Sequence, residues 1–499
     1  MAGKYILVLD AGTSGIRCHV CEPPSRIVFS STGSWAYKTP EQDSPLLKEF
    51  EPEATWNTIR QLVGRSIQES NVPPQEIAAI SVTSQRQGFA FLDQSERELY
   101  VGPNVDLRAV FEGGEIDEGL GEEVYHKTGH FPSFLFAPAK LRWFMEHRPL
   151  VYSKIDKVCT LGDWLSWKLS GTLVSETTLA GEAGLLDIRE RKWCHSLLEE
   201  LGVSSGLLPP LVSPGEMPTP LSRQLTLDWG LKQDTSVVIA GADMQCGLLG
   251  LGALTDGDVG IVAGWSLPVQ MVTATPFFSN IHRTWVGNHV LPDKWVSESS
   301  AGNIGESYRW LKDLLFADRV DAYQYMDSLA QGIPTGSEGA SVFFGPPVLD
   351  MRKLGLASGG LVFPTPLSFT APENGHLIRA ALESYAYSAK ASLERLKEVT
   401  GENARSIRIG GGMTLTNSFT NILADVLGRQ VIVSQVPQVS ALGAALCGVA
   451  CIGNCSVSGQ GGKWSHLRTI DPDPIRSSEY HDLYEQWLLK SNALAEMGL

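Results

Sequence analysis

Short apolar runs alternate with longer stretches of helical periodicity along the whole chain. The runs of strand type cover residues 5–9, 78–82, 89–92, 236–240, 260–263, 269–272 and 406–409. Apolar residues recur at helical spacing over residues 53–69, 139–147, 305–316, 377–399 and 417–427. Such alternation of strands and helices predicts an α/β architecture.

Polar or glycine-rich turns follow several of the predicted strands. The first strand runs into Asp10, the fourth into Gly241-Ala242-Asp243, and the last into residues 410–412, which are all glycine. The runs at 260–263 and 269–272 flank a short turn, which is the spacing of a hairpin. Functional side chains are often placed on such connections, so the candidate chemistry of the chain lies at these turns.

The length of the chain, 499 residues, allows two or three domains, and no long linker or low-complexity segment separates them. Hydrophobic residues make up 43% of the chain and charged residues 19%, which is typical of a globular protein. We place the main boundary near residues 247–257. This predicts an N-terminal domain over residues 1–247 and a C-terminal domain over residues 248–499.

The charge balance excludes some classes of partner. A formal net charge of −15 disfavours nucleic acid and anionic lipid, because an acidic surface repels their phosphates. The first apolar run is too short for a secretory signal, so we expect a cytoplasmic protein. Residues 439–457 carry no charge, but their many Ala, Gly and Ser residues predict a buried helix packed on a sheet and no membrane span.

The turn after the first strand has the composition of a phosphate-binding loop. Gly12 permits a tight turn whose N–H groups face an anion, and Thr13 and Ser14 add hydroxyl donors. Arg17 can bind a phosphate through two N–H groups, and Asp10 can hold Mg²⁺ through water. A plain β-hairpin turn with a surface arginine explains the same residues equally well.

Asp243 stands between an apolar strand and an apolar, glycine-rich segment. A carboxylate in such a place loses hydration unless it is paired or used in chemistry. It can accept the proton of a sugar hydroxyl as the oxygen attacks phosphorus, while Gln245 binds another hydroxyl. Alternatively, Asp243 caps the helix that follows.

The turn after the first strand and the Asp243 segment, taken in this order, resemble the FGGY family of carbohydrate kinases. The resemblance covers nearly the whole chain and implies two actin-like (ribonuclease H-like) α/β domains with an interdomain catalytic cleft. It implies ATP and Mg²⁺ as cofactors, and Asp243 as the general base. Asp243 and, through water, Asp10 would be the metal ligands. The ATP phosphates would lie on Gly12, Thr13, Ser14 and Arg17.

Two further segments resemble the sugar-binding loops of the family. Arg86 and Gln87 lie at the pair of positions that touches the sugar, and this pair offers many hydrogen-bond donors. Asp106 matches a sugar contact, with Arg108 as its orienting partner. The predicted substrate-binding residues are therefore Arg86, Gln87, Asp106, Asp243 and Gln245. Without the resemblance, Arg86–Gln87 is explained as well by a surface pair, and Asp106–Arg108 better by a solvated ion pair.

Three segments of the C-terminal half resemble the nucleotide-binding segments of the family: the turn of the predicted hairpin, a helix start and the glycine triplet. The implied ATP contacts are Gly264, Ser266, Gly305, Arg309, Gly411, Gly412 and Asn417. For Asn417 we favour the alternative that it caps the next helix. Trp265 stands where the family carries a threonine, a departure that bears on ATP affinity more than on the chemistry.

The sequence thus predicts ATP-dependent phosphorylation of a hydroxyl on a small sugar, polyol or sugar-like linear substrate. Several blocks look most like the autoinducer kinases and xylulokinases of the family, without fixing the substrate. The alternative is a catalytically altered actin-like nucleotide-binding protein, which Trp265 motivates. The expected partners are a small-molecule sugar or polyol and a second copy of the chain in a homodimer, with no nucleic acid and no membrane.

Overall fold

The structure is a computed structural model that describes residues 4–24, 26–39, 44–216, 218–279, 281, 284–300, 302, 304–350, 359–365, 372–453, 455–457 and 467–496. The strands, numbered in chain order, are β1 (Tyr5–Gly12), β2 (Gly15–Glu22), β3 (Arg26–Ser34), β4 (Tyr37–Lys38), β5 (Glu49–Phe50), β6 (Ile77–Ser84), β7 (Phe89–Leu92), β8 (Glu98–Gly102), β9 (Lys157–Thr160), β10 (Ser175–Glu176), β11 (Leu186–Asp187), β12 (Lys192–Trp193), β13 (Leu211–Val212), β14 (Thr219–Pro220), β15 (Ser236–Ala242), β16 (Asp258–Val262), β17 (Pro268–Thr273), β18 (Trp285–Asn288), β19 (Trp295–Ser300), β20 (Ser341–Phe343), β21 (Gly360–Val362), β22 (Ser406–Gly410), β23 (Val431–Ser434) and β24 (Leu467–Ile470).

The α-helices follow the same numbering. They are α1 (Pro52–Glu69), α2 (Val110–Thr128), α3 (Ala137–His147), α4 (Pro149–Tyr152), α5 (Leu161–Ser170), α6 (Thr177–Gly181), α7 (His195–Glu200), α8 (Arg223–Trp229), α9 (Asp243–Leu251), α10 (Ile304–Phe316), α11 (Ala322–Gln331), α12 (Asn374–Thr400), α13 (Asn417–Leu427), α14 (Val439–Ile452) and α15 (Pro474–Glu496). Each strand and helix predicted from the sequence lies within one of these elements, with two exceptions: β16 ends one residue before Ala263, and α14 ends at Ile452, before the predicted end at residue 457.

The chain is divided into two compact units, and each unit is made of segments that are not consecutive in the sequence. The first unit comprises Met1–Leu254, Thr273–Val296 and Val439–Ser465, and the second comprises Thr255–Val272, Ser297–Gln438 and His466–Leu499. Two later segments thus return to the first unit. The domain limits 1–247 and 248–499 stay a prediction from the sequence.

A six-stranded sheet forms the centre of the first unit, in the order β14-β15-β6-β1-β2-β3. The neighbours β15, β6 and β1 run parallel, whereas β2 and β3 continue the sheet as antiparallel strands. The three parallel strands are buried along nearly their whole length, as expected for apolar runs covered on both faces. Their carboxyl ends share one edge of the sheet.

The second unit contains a sheet in which β17, β16, β22, β23 and β24 follow one another. Its three central strands β16, β22 and β23 are parallel, and β17 and β24 pair with them in the antiparallel sense. The hairpin predicted from the sequence is therefore confirmed as β16–β17. Helix α12 covers this core with a long, largely buried face.

Helix α14 packs tightly within the first unit. A Cβ added at Gly443 would lie 1.8 Å from the Cys246 carbonyl oxygen of α9, so only glycine permits this approach. The Ser81 hydroxyl of β6 also donates to the Ala444 carbonyl oxygen at 2.7 Å. The buried helix predicted for this uncharged segment is confirmed over Val439–Ile452. Within the described ranges, no helix combines the length and apolar character that crossing a membrane requires.

Candidate active site

Three parallel strands of the first unit bring the predicted catalytic segments to one edge of the sheet. Asp10 of β1 lies opposite Thr83 of β6, and Ala242 of β15 lies opposite Ser84. Since these residues occupy the carboxyl ends of neighbouring strands, the turns that follow are adjacent. The structure therefore groups Asp10, the loop that begins with Gln85, and Asp243.

The predicted phosphate loop is the turn of the β1–β2 hairpin. Gly12 pairs with Gly15, and an added Cβ at Gly15 would lie 2.6 Å from the Gly33 carbonyl oxygen. The Trp35 indole N–H donates to the Gly12 carbonyl at 2.7 Å, and the Tyr37 hydroxyl to the Thr13 carbonyl at 2.8 Å. These contacts fix the turn, which leaves Ser14 exposed.

Arg17 lies across the ladder from Asp10. Its Nη1 atom is 3.5 Å from Oδ2 of Asp10, which is buried, while the Arg17 side chain is 42% exposed. The arginine thus partly offsets the charge of the buried carboxylate and remains partly open to solvent. A guanidinium beside a tight turn suits phosphate oxygens.

Asp243 is the first residue of α9, and its side chain is half-buried. Its Oδ1 atom accepts the Met244 N–H at 2.8 Å, whereas the N-cap position belongs to Ala242. The alternative that Asp243 is the cap of the next helix is therefore wrong. Burial raises the pKa of the Asp243 carboxyl to about 7. The Asp10 and Glu182 charges act in the same direction, and Arg86 opposes them.

Glu182 is a member of the site that the motifs missed. It follows α6 and is 2% exposed in its side chain. Its Oε1 atom lies 3.4 Å from Arg86 Nη1 and accepts Gln245 Nε2 at 3.5 Å. Its Oε2 atom accepts Gln87 Nε2 at 2.6 Å. The sequence does carry a signal, because Glu182 is the lone charge in the apolar stretch 179–186.

Aromatic and imidazole rings close the other side of this carboxylate. His130 Nε2 lies 3.2 Å from Glu182 Oε2, and its ring packs against Trp285 with 5.3 Å between centroids. The Arg86 guanidinium lies 5.2 Å from the centre of the same indole ring. Although burial raises the pKa of Glu182, Arg86 and His130 hold it down at about 2. Glu182 is therefore ionised at neutral pH.

Asp106 is fully buried, and protein donors occupy both carboxylate oxygens. Oδ1 accepts the Lys48 N–H at 3.0 Å, and Oδ2 accepts Tyr100 Oη and Arg108 Nε, each at 2.6 Å. The alternative of a solvated ion pair is wrong, because both partners are 0% exposed in their side chains. This geometry also does not support the predicted contact between Asp106 and a sugar; it makes Asp106 a structural anchor.

The same anchor includes a buried lysine. Lys140 Nζ donates to the Asp106 carbonyl oxygen at 2.8 Å. Burial lowers the pKa of Lys140 to about 8, with Asp106 opposing and Arg108 adding to that shift. These contacts hold the segment that carries Asn104.

Asn104 connects the first two turns of the site. Its Nδ2 atom donates to Thr13 Oγ1 at 2.9 Å, and its backbone N–H donates to Gln85 Oε1 at 3.2 Å. The opposite ends of the two amides, Asn104 Oδ1 and Gln85 Nε2, are buried and have no hydrogen-bond partner within the described part of the chain. Such atoms are normally satisfied by water or ligand, so these amides mark a polar recess.

In the second unit, the three predicted nucleotide segments pack on one another through glycines. A Cβ added at Gly305 would lie 1.9 Å from the Gly264 carbonyl oxygen, and a Cβ added at Gly411 would lie 2.3 Å from the Ala263 carbonyl oxygen. The Gly305 N–H donates to the Trp265 carbonyl oxygen at 3.0 Å. The structure therefore brings together the β16–β17 turn, the start of α10 and the loop after β22.

The remaining predicted nucleotide residues are solvent-facing to different degrees. Gly412 is exposed, with open space where a Cβ would stand, and Ser266 is half-buried. Arg309 is exposed and lies 3.4 Å from Glu306. The prediction that Asn417 caps α13 is wrong: the N-cap is Thr416, and Asn417 Oδ1 accepts a hydrogen bond from Arg468 Nη2 at 3.1 Å.

Two models of one protein family match the chain. The N-terminal domain of the FGGY family of carbohydrate kinases matches residues 5–250, and its C-terminal domain matches residues 259–451. The autoinducer-2 kinase of Salmonella paratyphi B is 28% identical over 507 residues, covering 97% of this chain and 94% of that protein.

Solved structures share the fold. A ligand-bound xylulose kinase of Lactobacillus acidophilus superimposes with a TM-score of 0.86 at 20% identity, over 98% of each chain. A glycerol kinase of Plasmodium falciparum with ADP gives a TM-score of 0.82 at 18% identity, also over 98% of each chain. The expected two-domain α/β fold is thereby confirmed, while these identities carry no argument about substrate.

Proposed function

Because the chain belongs to the FGGY family of carbohydrate kinases, we propose that it transfers the terminal phosphoryl group of ATP to a hydroxyl of a small sugar, polyol or sugar-like linear substrate, with Asp243 as the general base. The single observation that carries the catalytic assignment is the place of this carboxyl. It is half-buried beside Arg86 and at the same sheet edge as the Asp10 turn, and burial raises its pKa to about 7.

Asp243 is suited to take the hydroxyl proton. A base whose pKa lies near neutral pH is deprotonated often enough to act and basic enough to hold the proton. The acceptor oxygen then forms a bond to the terminal phosphorus, and the bond from that phosphorus to the bridging oxygen breaks. ADP leaves with the bonding electrons, and the proton remains on Asp243.

The first turn of the sheet is proposed to bind the phosphates. Gly12, Thr13, Ser14 and Arg17 supply N–H, hydroxyl and guanidinium donors in a hairpin fixed by Trp35 and Tyr37. Such donors stabilise charge that spreads over the transferring group.

The residues present also fit a magnesium ion. Two carboxylates, Asp10 and Asp243, are close enough for the charge of Asp10 to raise the pKa of Asp243, and oxygen ligands are those that Mg²⁺ prefers. When bound there, Mg²⁺ would offset negative charge on the phosphates. For the nucleotide we propose the glycine cluster of the second unit, formed by Gly264, Gly305 and Gly411, with Ser266, Arg309, Gly412 and Asn417 around it.

The acceptor is proposed to bind between hydrogen-bonding groups next to Asp243. Gln245 presents a buried Oε1 atom that has no partner among the described residues, and Arg86 and Gln87 line the same carboxylate, Glu182. The curated relative bears the name autoinducer-2 kinase, so we place the linear precursor of autoinducer-2 first among the candidate acceptors.

A coupled ADP-release assay tests the proposal. The acceptor panel would contain the linear autoinducer-2 precursor, D-xylulose, xylitol and glycerol, each with ATP and Mg²⁺ and each compared with a reaction lacking acceptor. We expect at least one acceptor to raise ADP release well above that background, and mass spectrometry to find the phosphorylated acceptor. ADP release that no acceptor changes, with ATP still bound, would contradict the proposal and favour a nucleotide-binding protein without transferase activity.

A further inference from the structure

Glu182 sets the polarity of the groups that surround the proposed acceptor position. Its two oxygens contact Arg86, Gln87, His130 and Gln245, which come from three separate segments of the first unit. The carboxylate is 2% exposed, so these contacts replace its hydration.

The contact between Glu182 and Gln245 fixes which end of the Gln245 amide faces away from Glu182. Nε2 of Gln245 is taken by Glu182 Oε1, and its Oε1 atom is buried and unpartnered within the described residues. An amide oxygen accepts hydrogen bonds and cannot donate them. The site therefore offers an acceptor to a ligand hydroxyl, whereas a carboxylate of a ligand has no proton to give.

The charges around Asp243 point the same way. The acidic side chains of Asp10 and Glu182 and the basic side chain of Arg86 act on it, and Asp10 is paired with Arg17. Glu182 Oε1 lies 3.4 Å from Arg86 Nη1, so its charge offsets that of Arg86 and weakens the attraction of this arginine for a ligand carboxylate. A carboxylate on the ligand would be repelled by these acidic side chains, because like charges in a partly buried site repel each other.

We propose that Glu182 determines specificity by restricting the acceptor to uncharged, hydroxyl-donating molecules and rejecting sugar acids. This inference rests on the proposed phosphoryl transfer, and its action is through Arg86 and Gln245. Glu182 itself is a positioning residue whose negative charge is the decisive property.

Matched pairs of polyol and sugar acid test the inference. Xylitol is compared with D-xylonate, and glycerol with D-glycerate, so that each pair differs mainly in one carboxylate. For the wild-type protein and Glu182→Gln, kcat/KM is measured by ADP release, and binding is measured by calorimetry with a non-hydrolysable ATP analogue. We expect Glu182→Gln to raise the acid-to-polyol ratio at least about tenfold, because Arg86 loses the opposing charge.

Two further variants separate charge from structure. Glu182→Asp keeps the negative charge but shortens the side chain, so it should retain the rejection of sugar acids even if overall activity falls. The double variant Arg86→Gln with Glu182→Gln should not show the rise in the acid-to-polyol ratio that we expect for Glu182→Gln alone. Glu199→Gln, an exposed glutamate on α7, is the matched control and should leave the ratio unchanged.

The outcomes distinguish this inference from the proposed function. An unchanged acid-to-polyol ratio in Glu182→Gln, or an equal rise in Glu182→Asp, would overturn the role of the charge. If no acceptor releases ADP but the binding ratio changes as expected, phosphoryl transfer is refuted and the assignment of Glu182 is supported. If the wild-type protein binds the sugar acids as tightly as the polyols, the assignment is refuted whatever the turnover.

Discussion

Nη1 of Arg86 lies 3.4 Å from Oε1 of Glu182, and the same arginine opposes the rise that burial causes in the pKa of Asp243. One guanidinium is thus shared between a carboxylate that stays ionised and a carboxyl that titrates near neutral pH. Environments that push two pKa values apart are typical of acid–base sites, since one group must hold charge while the other exchanges a proton.

Replacing Asp243 by Asn removes the proposed base and keeps the size of the side chain. We expect kcat with the best acceptor to fall by about 10²–10⁴-fold, the usual contribution of general acid–base catalysis. Binding of the ATP analogue should change little, and calorimetry would measure it. Asp234→Asn, an exposed aspartate of the same unit, is the control. Acceptor-dependent ADP release near the wild-type level in Asp243→Asn would exclude this role.

The pH dependence of kcat/KM follows from the protonation state of Asp243. Only the ionised carboxylate can accept a proton, and its pKa is raised to about 7 by burial. We expect kcat/KM to rise about tenfold per pH unit on the acid side and to level off above about pH 7. A profile that is flat between pH 5 and 8 would show that another group is the base.

Stability should show the cost of keeping this base. A carboxyl whose pKa is raised on folding stabilises the fold fully below its ordinary value of 3.8, and this contribution is lost as the pH rises through about 7. Asp243→Asn should therefore have the same Tm as the wild type near pH 4. At pH 8 its Tm should be higher by about 2–4 °C. Equal Tm values at both pH values, by scanning calorimetry, would contradict the raised pKa.

Arg108 completes the buried anchor around Asp106. Its guanidinium packs 4.5 Å from the Tyr100 ring centre and 4.7 Å from that of Trp143, and it pairs with Asp106 and Glu49. Arg108→Leu leaves a buried carboxylate without its cation, so we expect unfolding in urea to show a loss of about 3–5 kcal/mol.

An exposed arginine supplies the control for this loss. Arg97→Leu breaks an ion pair in which the arginine side chain is 76% exposed, and it should cost at most about 1 kcal/mol. Losses of similar size in the two variants would show that the Asp106 cluster adds no special stability.

Gly412 tests whether the nucleotide lies against the second unit's glycine loop. Its position is exposed and has room for a methyl group, so Gly412→Ala should keep the Tm of the nucleotide-free protein. If a planar base lies on this backbone, the Kd for the ATP analogue should rise by about tenfold or more. Gly360→Ala, at an equally open glycine of β21, should leave both values unchanged. An unchanged Kd in Gly412→Ala would place the nucleotide elsewhere.

The fold and part of the site could be predicted because they depend on local patterns. Apolar runs that end in a polar turn marked β1 and β15, and parallel pairing with β6 then placed Asp10 and Asp243 at one sheet edge. The strand ends are local signals, and the shared edge follows from the parallel pairing of the three strands.

The rest depends on contacts between residues far apart in sequence. Glu182 meets Arg86 and Gln87 across about a hundred positions, and no spacing rule connects them. The burial of Asp106 likewise depends on Lys48 and Lys140, which come from distant segments. Pairwise spacing shows which residues are neighbours on one element but not which donors a fold delivers from elsewhere.

The return of α14 to the first unit affects when that unit can fold during synthesis. Ser81 of β6 donates a hydrogen bond to Ala444, which lies more than three hundred positions later in the chain. Cys246 of α9 packs against Gly443, which lies about two hundred positions later. A nascent chain that has emerged only as far as residue 254 lacks this cover over β6. The apolar face of this sheet stays uncovered until α14 has been synthesised. Contacts between residues so far apart in sequence slow folding. The sheet of the first unit therefore lacks part of its cover until the chain has been synthesised as far as residue 452.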